Sequence, residues 1–572
     1  QLLQHHGQTN VLTVPTALQR EGILTEGSQG TIYDPLNGAP FPNNTIPSAR
    51  IDPVSLKVAN LFPQANLAGF SNNYVDNTVN TENAPQGDIK VDWVPTERDH
   101  IFGRESAMHK NFTNPSGGNM FMMGGPNSFA FNQNAVTGWD RTISPALVNE
   151  ARVGFNRFNV VDTANSYGIE QNDILGIPNG NIPGLPYTSG IAQFNISGFT
   201  STGDPGWTNA KRIANIFDYT DSLTWIHGNH TLKFGGDIQQ IQATLTNSQD
   251  HPRGIFNFNG NYTSNQGAAG TGNPFASFLL GDPNYVARDF VNTVPAVRMT
   301  FAGFFVQDDY RVTKSLTLNL GLRWDLFTHP VEKFNRQSNF DPASGQIVVA
   351  SSDNRGPNID TNYKNVGPRV GLAYSPDGGK TAIRAAYGIS YFPDNFGATG
   401  GTLERNYPFF TISQLNSPTP FTPFWNVSKN GLIAPISVPY TPGGTLTPPP
   451  GFGVFFVAKD FKQDEAQVWN FSVERQLPGN MMFSAAYVGT HGLHLFRDLQ
   501  LNQTLPGPGA YQTRLPYYAV APNIPTVDQR NGDGTSHYNA LQLKAEKRFS
   551  RGLSLLASYT WSKTMDNTTT IL

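Results

Sequence analysis

The sequence predicts an all-β protein, an antiparallel transmembrane β-barrel, and three observations carry that prediction. The first is the stretch 315–326, in which Leu316, Leu318, Leu320, Leu322, Trp324 and Leu326 alternate with Ser315, Thr317, Asn319, Gly321, Arg323 and Asp325. Successive side chains of a strand point to opposite faces, so one face is apolar and the other polar. A run of this length suits the ~9–11 tilted residues that cross a bilayer better than the five or six of a soluble strand. The second is recurrence: strand, tight turn, strand and long polar loop repeat along the chain. The third is composition. Charged residues make up 14% and aromatics 12%, yet the mean hydropathy is −0.36. Few charges, many aromatics and a polar average fit a wall with lipid outside and water inside.

In chain order, turns are expected at 95–98, 142–145, 227–230, 312–314, 376–379, 477–480 and 549–552. The turn Pro376-Asp377-Gly378-Gly379 is the strongest hairpin signal, joining Val370, Leu372 and Tyr374 to Ile383, Ala385, Tyr387, Ile389 and Tyr391. Trp469, Phe471 and Val473 lead through Leu477-Pro478-Gly479-Asn480 to Met481, Phe483, Ala485 and Tyr487. Leu541, Leu543 and Ala545 lead through Phe549-Ser550-Arg551-Gly552 to Leu553, Leu555, Ala557, Tyr559 and Trp561. His227-Gly228-Asn229-His230 opens onto Leu232, Phe234 and Ile238, which face away from Lys233, Asp237 and Gln239. Seven hairpins make about fourteen strands. The other connections are read as long structureless loops at 158–210, 242–297, 328–367, 393–465 and 491–537. Short turns on one rim and long loops on the other are the asymmetry of outer-membrane barrels. Closure is expected, because it removes edges that invite aggregation.

Leu318, Leu320, Leu322, Ile383, Ala385, Phe471 and Leu555 are expected to face lipid, and Arg323, Arg384 and Lys544 the lumen. Trp225, Trp324, Tyr374, Tyr391, Trp469, Tyr487, Tyr559 and Trp561 fall near strand ends, where aromatic girdles sit. No run of eighteen apolar residues predicts a membrane helix. The absence of cysteine excludes disulfides, thiolate metal sites and cysteine nucleophiles. A net charge of −3 without a basic stripe argues against a nucleic-acid partner.

Several stretches resemble one family. Val14-Pro15-Thr16-Ala17-Leu18-Gln19-Arg20, Ile32-Tyr33-Asp34-Pro35 and Phe41-Pro42-Asn43-Asn44-Thr45-Ile46-Pro47-Ser48-Ala49-Arg50-Ile51-Asp52 are similar to the region after the plug of Oar-like TonB-dependent receptors. These are outer-membrane proteins that carry an N-terminal carboxypeptidase-regulatory-like domain. Phe305-Val306-Gln307-Asp308-Asp309-Tyr310, Gly367-Pro368-Arg369-Val370-Gly371-Leu372-Ala373-Tyr374 and Tyr559-Thr560-Trp561-Ser562-Lys563 resemble its barrel strands. The resemblance implies a barrel of about twenty-two strands, of which fourteen are here, in the bacterial outer membrane of a Gram-negative cell. It divides the chain into a post-plug segment and loop over 1–87 and a partial barrel over 88–572. It implies energised transport of a bulky extracellular ligand (siderophore, glycan, peptide or protein), with TonB–ExbB–ExbD acting on a plug. No TonB box, plug or signal peptide is found in these residues, so the chain reads as part of a longer protein. The alternative is a passive channel or a structural, adhesive barrel.

No catalytic constellation is found, and neither an enzyme nor a cofactor is expected. His227 and His230 flank a turn, which solvation explains better than a metal; His5-His6 is read as incidental. Asn531-Gly532-Asp533-Gly534 lacks the remaining calcium-loop ligands and reads as a glycine-rich loop. The stretch 402–460 is the candidate ligand surface. Tyr407, Phe409, Phe410, Phe424, Trp425, Phe455 and Phe456, with Phe421 and Phe452, stand among many prolines. Aromatics exposed on stiff backbone suit stacking on sugars or apolar groups; the competing expectation is that they pack the loop.

Overall fold

The computed structural model describes residues 3–26, 30–114, 127–206, 208–245, 251–291, 294–393, 403–436, 438–550 and 552–568, with the side chains of 3–8 and 245 excepted. His5, His6 and Arg551 of the expectations above therefore lie outside the described side chains. Fourteen long strands form one antiparallel wall in sequence order. They are β1 (Gln86–Thr96), β2 (Asp99–Thr113), β3 (Asn127–Ser144), β4 (Leu147–Thr163), β5 (Ala210–His227), β6 (His230–Leu245) and β7 (Ala296–Arg311). There follow β8 (Leu316–Phe327), β9 (Asn365–Tyr374), β10 (Thr381–Tyr391), β11 (Glu465–Leu477), β12 (Met481–Gln500), β13 (Val527–Ser550) and β14 (Leu553–Asp566). All seven expected hairpins are present, and the boundary expected at 87 falls just inside β1.

Register fixes the two faces, since directly paired residues share one. Leu318, Leu372, Ala385, Phe471, Tyr487, Leu541 and Trp561 form a single apolar row across β8–β14. Leu320 is 43%, Leu322 49% and Phe471 50% exposed, as befits a surface that meets lipid rather than a core. The opposite face is charged: Arg323 pairs with Asp237 and Asp325, Arg384 with Glu474, and Lys544 with Glu546. The alternation of a barrel wall is thus realised in side chains.

Three expectations about the wall need correction. The wall does not close among the described residues: β1 pairs only with β2 and β14 only with β13, because pairing follows the hairpin chain and nothing joins its ends. The strands also run well past the apolar band. β4 reaches Thr163, β12 reaches Gln500 and β13 starts at Val527, so the last loop spans only 501–526. Paired hairpin arms continue their ladder into water wherever both backbones stay extended. Finally, Asn531-Gly532-Asp533-Gly534 is strand, not loop. Arg497 on β12 clamps the Asp533 carboxylate with two 3.0 Å hydrogen bonds.

The long connections are not structureless. Residues 12–26 and 30–62 join segments of the loops after β4, β6 and β10 in a compact cap at the long-loop rim. Its core contains Val14, Ile32, Val58, Phe194, Phe256, Phe275, Phe278 and Leu432, all fully buried. A four-stranded sheet of Gln193–Ile196, Ile255–Phe258, Tyr285–Val291 and Phe410–Asn416 runs through it. The helix Pro53–Ala59 starts there because Asp52 accepts from the Val54 and Ser55 amides; Asn273 caps Pro274–Leu279 in the same way. A second cluster gathers Phe340, Ile347, Val454, Phe456 and Ile524 beside the sheet Ser338–Asp341, Gln346–Val349 and Thr445–Leu446.

Candidate functional site

Two surfaces offer recognition chemistry: the charged inner face of the wall and the cap above it. On the inner face, β1–β4 bring together Asp92, His100, Asp140 and Arg152. His100 lies 3.0 Å from Asp92 and 3.3 Å from Asp140, and Arg152 meets Asp140 at 2.5 Å. Arg104 meets Asp88 at 3.0 Å on the neighbouring rungs. These charges are internally paired, so the face is polar and water-compatible without a strong field of one sign.

In the cap, buried arginines tie distant loops together. Arg288 donates to the carbonyls of Pro252 (3.2 Å), Asn179 and Gly180 (2.6 Å), and its guanidinium stacks over Phe290. Burial lowers its pKa to about 10, which leaves it charged at neutral pH. Arg253 and Asp204 face each other at 3.5 Å, each side chain about 2% exposed. Ser166 donates to the same carboxylate. Carbonyls are the natural acceptors for five guanidinium donors, and a buried arginine used this way fixes loop geometry. Asp282 lies near Asp52 beneath the Asn426 amide (3.4 Å); burial is the main cause that pushes its pKa up to about 7.

The candidate aromatics divide by burial. Phe409, Phe410 and Phe456 are interior and present no open face. Phe409 packs edge-on against Tyr440, Phe410 lies under Arg405 in the cap sheet, and Phe456 meets Phe340. Phe452 is likewise buried, edge-on to Tyr407. The expectation of exposed rings is corrected for these, because 38 residues in every hundred are apolar and the long loops need cores of their own. Tyr407, Phe421, Phe424, Trp425 and Phe455 keep partial exposure. Phe424 and Trp425 sit with ring centroids 6.2 Å apart, and Trp425 donates its indole N–H to the Gly431 carbonyl at 2.8 Å. Arg530 lies over Phe455 at 5.5 Å. The stretch thus does not make one continuous aromatic surface: Trp425 rests on the first core and Tyr407 on the second.

His230 binds Asp308 at 2.7 Å and stacks on Tyr310 at 4.1 Å; His227 rests against Trp225. The two histidines thus serve the turn rim. The buried arginines, and the N-terminal segment's place in the cap, were not anticipated. Arg253 lies in a polar stretch where sequence alone cannot tell a buried guanidinium from a solvated one, whereas Arg288 stands among Val286, Ala287, Phe290 and Val291, an apolar run that is the available signal of its burial.

Alternating faces, tight turns on one rim and folded loops on the other define an outer-membrane β-barrel. The chain belongs to the outer membrane beta barrel domain family, whose model matches residues 1–571, and it is a protein of the bacterial outer membrane. No curated protein matches it in sequence. Among solved structures, the outer membrane transporter YddB from Escherichia coli is 12% identical with a TM-score of 0.49, covering 85% of this chain and 49% of that one. The ferric citrate transporter FecA is 7% identical with a TM-score of 0.42, covering 87% and 54%. The ferric yersiniabactin uptake receptor FyuA from Yersinia pestis is 9% identical with a TM-score of 0.41, covering 88% and 54%. The chain spans about half the length of these structures.

Proposed function

We propose that this chain forms part of the wall and the ligand-capturing cap of a TonB-dependent receptor that imports a bulky extracellular ligand. The observation that carries the reading is the cap. Four separate parts of the chain fold over the long-loop rim around one core, and the buried Arg288 and Arg253 tie two of them, the loops after β4 and β6, together. A passive pore has no need of such an assembly, whereas selective capture needs a preorganised surface. The polar inner wall supports the same reading, since it offers a ligand or a plug a hydrated, charge-paired surface. Energised release would come from TonB–ExbB–ExbD acting through a plug, as the resemblance to Oar-like receptors implies.

Ligand contact is assigned to Tyr407, Phe424, Trp425 and Phe455, while Phe409, Phe410 and Phe456 pack the interior of the loops. The test titrates the full-length receptor with ferric siderophores, oligosaccharides and peptides, then repeats the titration with Phe424→Ala. Loss of a half-buried ring costs on the order of 1.5 kcal/mol, about tenfold in affinity. Saturable binding to one of these classes, weakened in the variant, supports the reading. Steady conductance in planar bilayers without binding would establish the passive-channel alternative.

A further inference from the structure

The lipid-facing wall carries one feature that neither import nor barrel closure explains. On β12, β13 and β14, three successive outward rows pass from aromatic to basic. The lowest contains Tyr487, Leu541 and Trp561, the next Gly489, Asn539 and Lys563, and the highest His491, His537 and Met565. His491 and His537 are direct cross-strand partners with rings stacked 4.0 Å apart. Tyr487 donates to Asn539 Oδ1 at 2.6 Å, which turns the Asn539 amide toward the same groove. Tyr487, Asn539, Leu541, Trp561 and Lys563 line a hollow of about 450 Å³. Lys563 makes no ion pair among the described residues.

Depth decides what this hollow meets. Lys563 lies eleven residues above the turn that ends at Gly552. At ~3.3 Å per residue and ~40° of tilt, this places it roughly 28 Å above the tight-turn rim. An apolar band is ~25 Å tall, so Lys563 and the histidine pair stand at the headgroup level of the outer leaflet. Trp561 stands just below, where an indole prefers to sit.

We propose that this hollow is a binding site for the phosphate headgroup of an outer-leaflet lipid. Lys563 supplies the charge and the Asn539 amide a hydrogen-bond donor, the imidazoles of His491 and His537 add donors one row above the hollow's lining, and Trp561, Tyr487 and Leu541 take the first acyl segment. Basic groups near a membrane surface attract anionic headgroups, whereas an unpaired ammonium facing lipid would otherwise snorkel into water.

The test reconstitutes the full-length receptor in vesicles of phosphatidylglycerol and phosphatidylcholine, extracts it gently, and counts retained lipids by native mass spectrometry. Phosphatidylglycerol should be retained over phosphatidylcholine. Retention should fall about fivefold in Lys563→Gln, the equivalent of one lysine–headgroup contact, and further in Lys563→Gln/His537→Gln. Lys544→Gln, on the lumen face, should retain lipid like the parent, and heat-modifiable gel mobility reports whether each variant folds. Equal retention in Lys563→Gln and the parent would overturn the proposal. So would equal retention of the two lipids, or displacement of lipid by millimolar inorganic phosphate, which would make this a soluble-anion site.

Discussion

Arg323 on β8 reaches across the whole of strand β7 to Asp237 on β6, meeting it at 2.7 Å. The path is open because the residue beneath is Gly303, paired to Asp237 on one side and Asp325 on the other. A Cβ at Gly303 would fall on the guanidinium. Arg323 holds Asp325 at 2.7 Å as well, so one cation bridges two carboxylates in three-strand register.

Gly303→Ala should therefore destabilise the wall by about 1–3 kcal/mol, the range for forced overpacking. In an Arg323→Ala background the same change should cost less, as the guanidinium no longer lies in the way and only the Asp325 carboxylate remains close. A double-mutant cycle in urea titrations of vesicle-folded protein checks this. Additive costs would show that Gly303 serves the backbone rather than the arginine.

Leu320→Arg should cost roughly 2–4 kcal/mol if placed near the bilayer midplane. Asn319→Arg should be mild, because Asn319 already donates to Asp309 at 2.5 Å on the watery face. Folding into lipid vesicles measures both. Equal costs would contradict the facing assigned by register.

The cap should loosen as pH rises. Burial raises the folded-state pKa of Asp282 from 3.8 to about 7, so between these values the folded state holds a proton that the unfolded state has lost. Its contribution is fully present below about pH 4 and is lost as pH climbs through about 7, a change of a few kcal/mol. Asp282→Asn should flatten this dependence and stabilise the cap at pH 8. Hydrogen exchange of 274–291 at pH 5 and pH 8 reads it directly.

Surface protease on intact cells should cut within 501–526, where Leu505 is 84% exposed, and spare the tight turns at 376–379 and 477–480. Cleavage at those turns instead would invert the topology. The parts of 402–460 around Val427, Leu432, Val454 and Phe456 should resist longer than 501–526, because they belong to folded cores.

The wall is legible in local sequence. Period-2 alternation in 316–327, the glycine turns at 378–379 and 479, and charges opposite apolar positions are local signals. A ladder of neighbouring strands needs little more than these to set face and register. The cap arises only when distant loops meet. Phe410 and Phe456 look like exposed loop aromatics until segments more than a hundred residues away in the chain pack on them and bury them. No local period marks such a core, because its contacts come from short pieces of many connections. The same holds for Arg253 and Arg288, whose burial depends on carbonyls and a carboxylate supplied from other loops. Repetition along one strand is written in neighbours; convergence of many loops exists only in space.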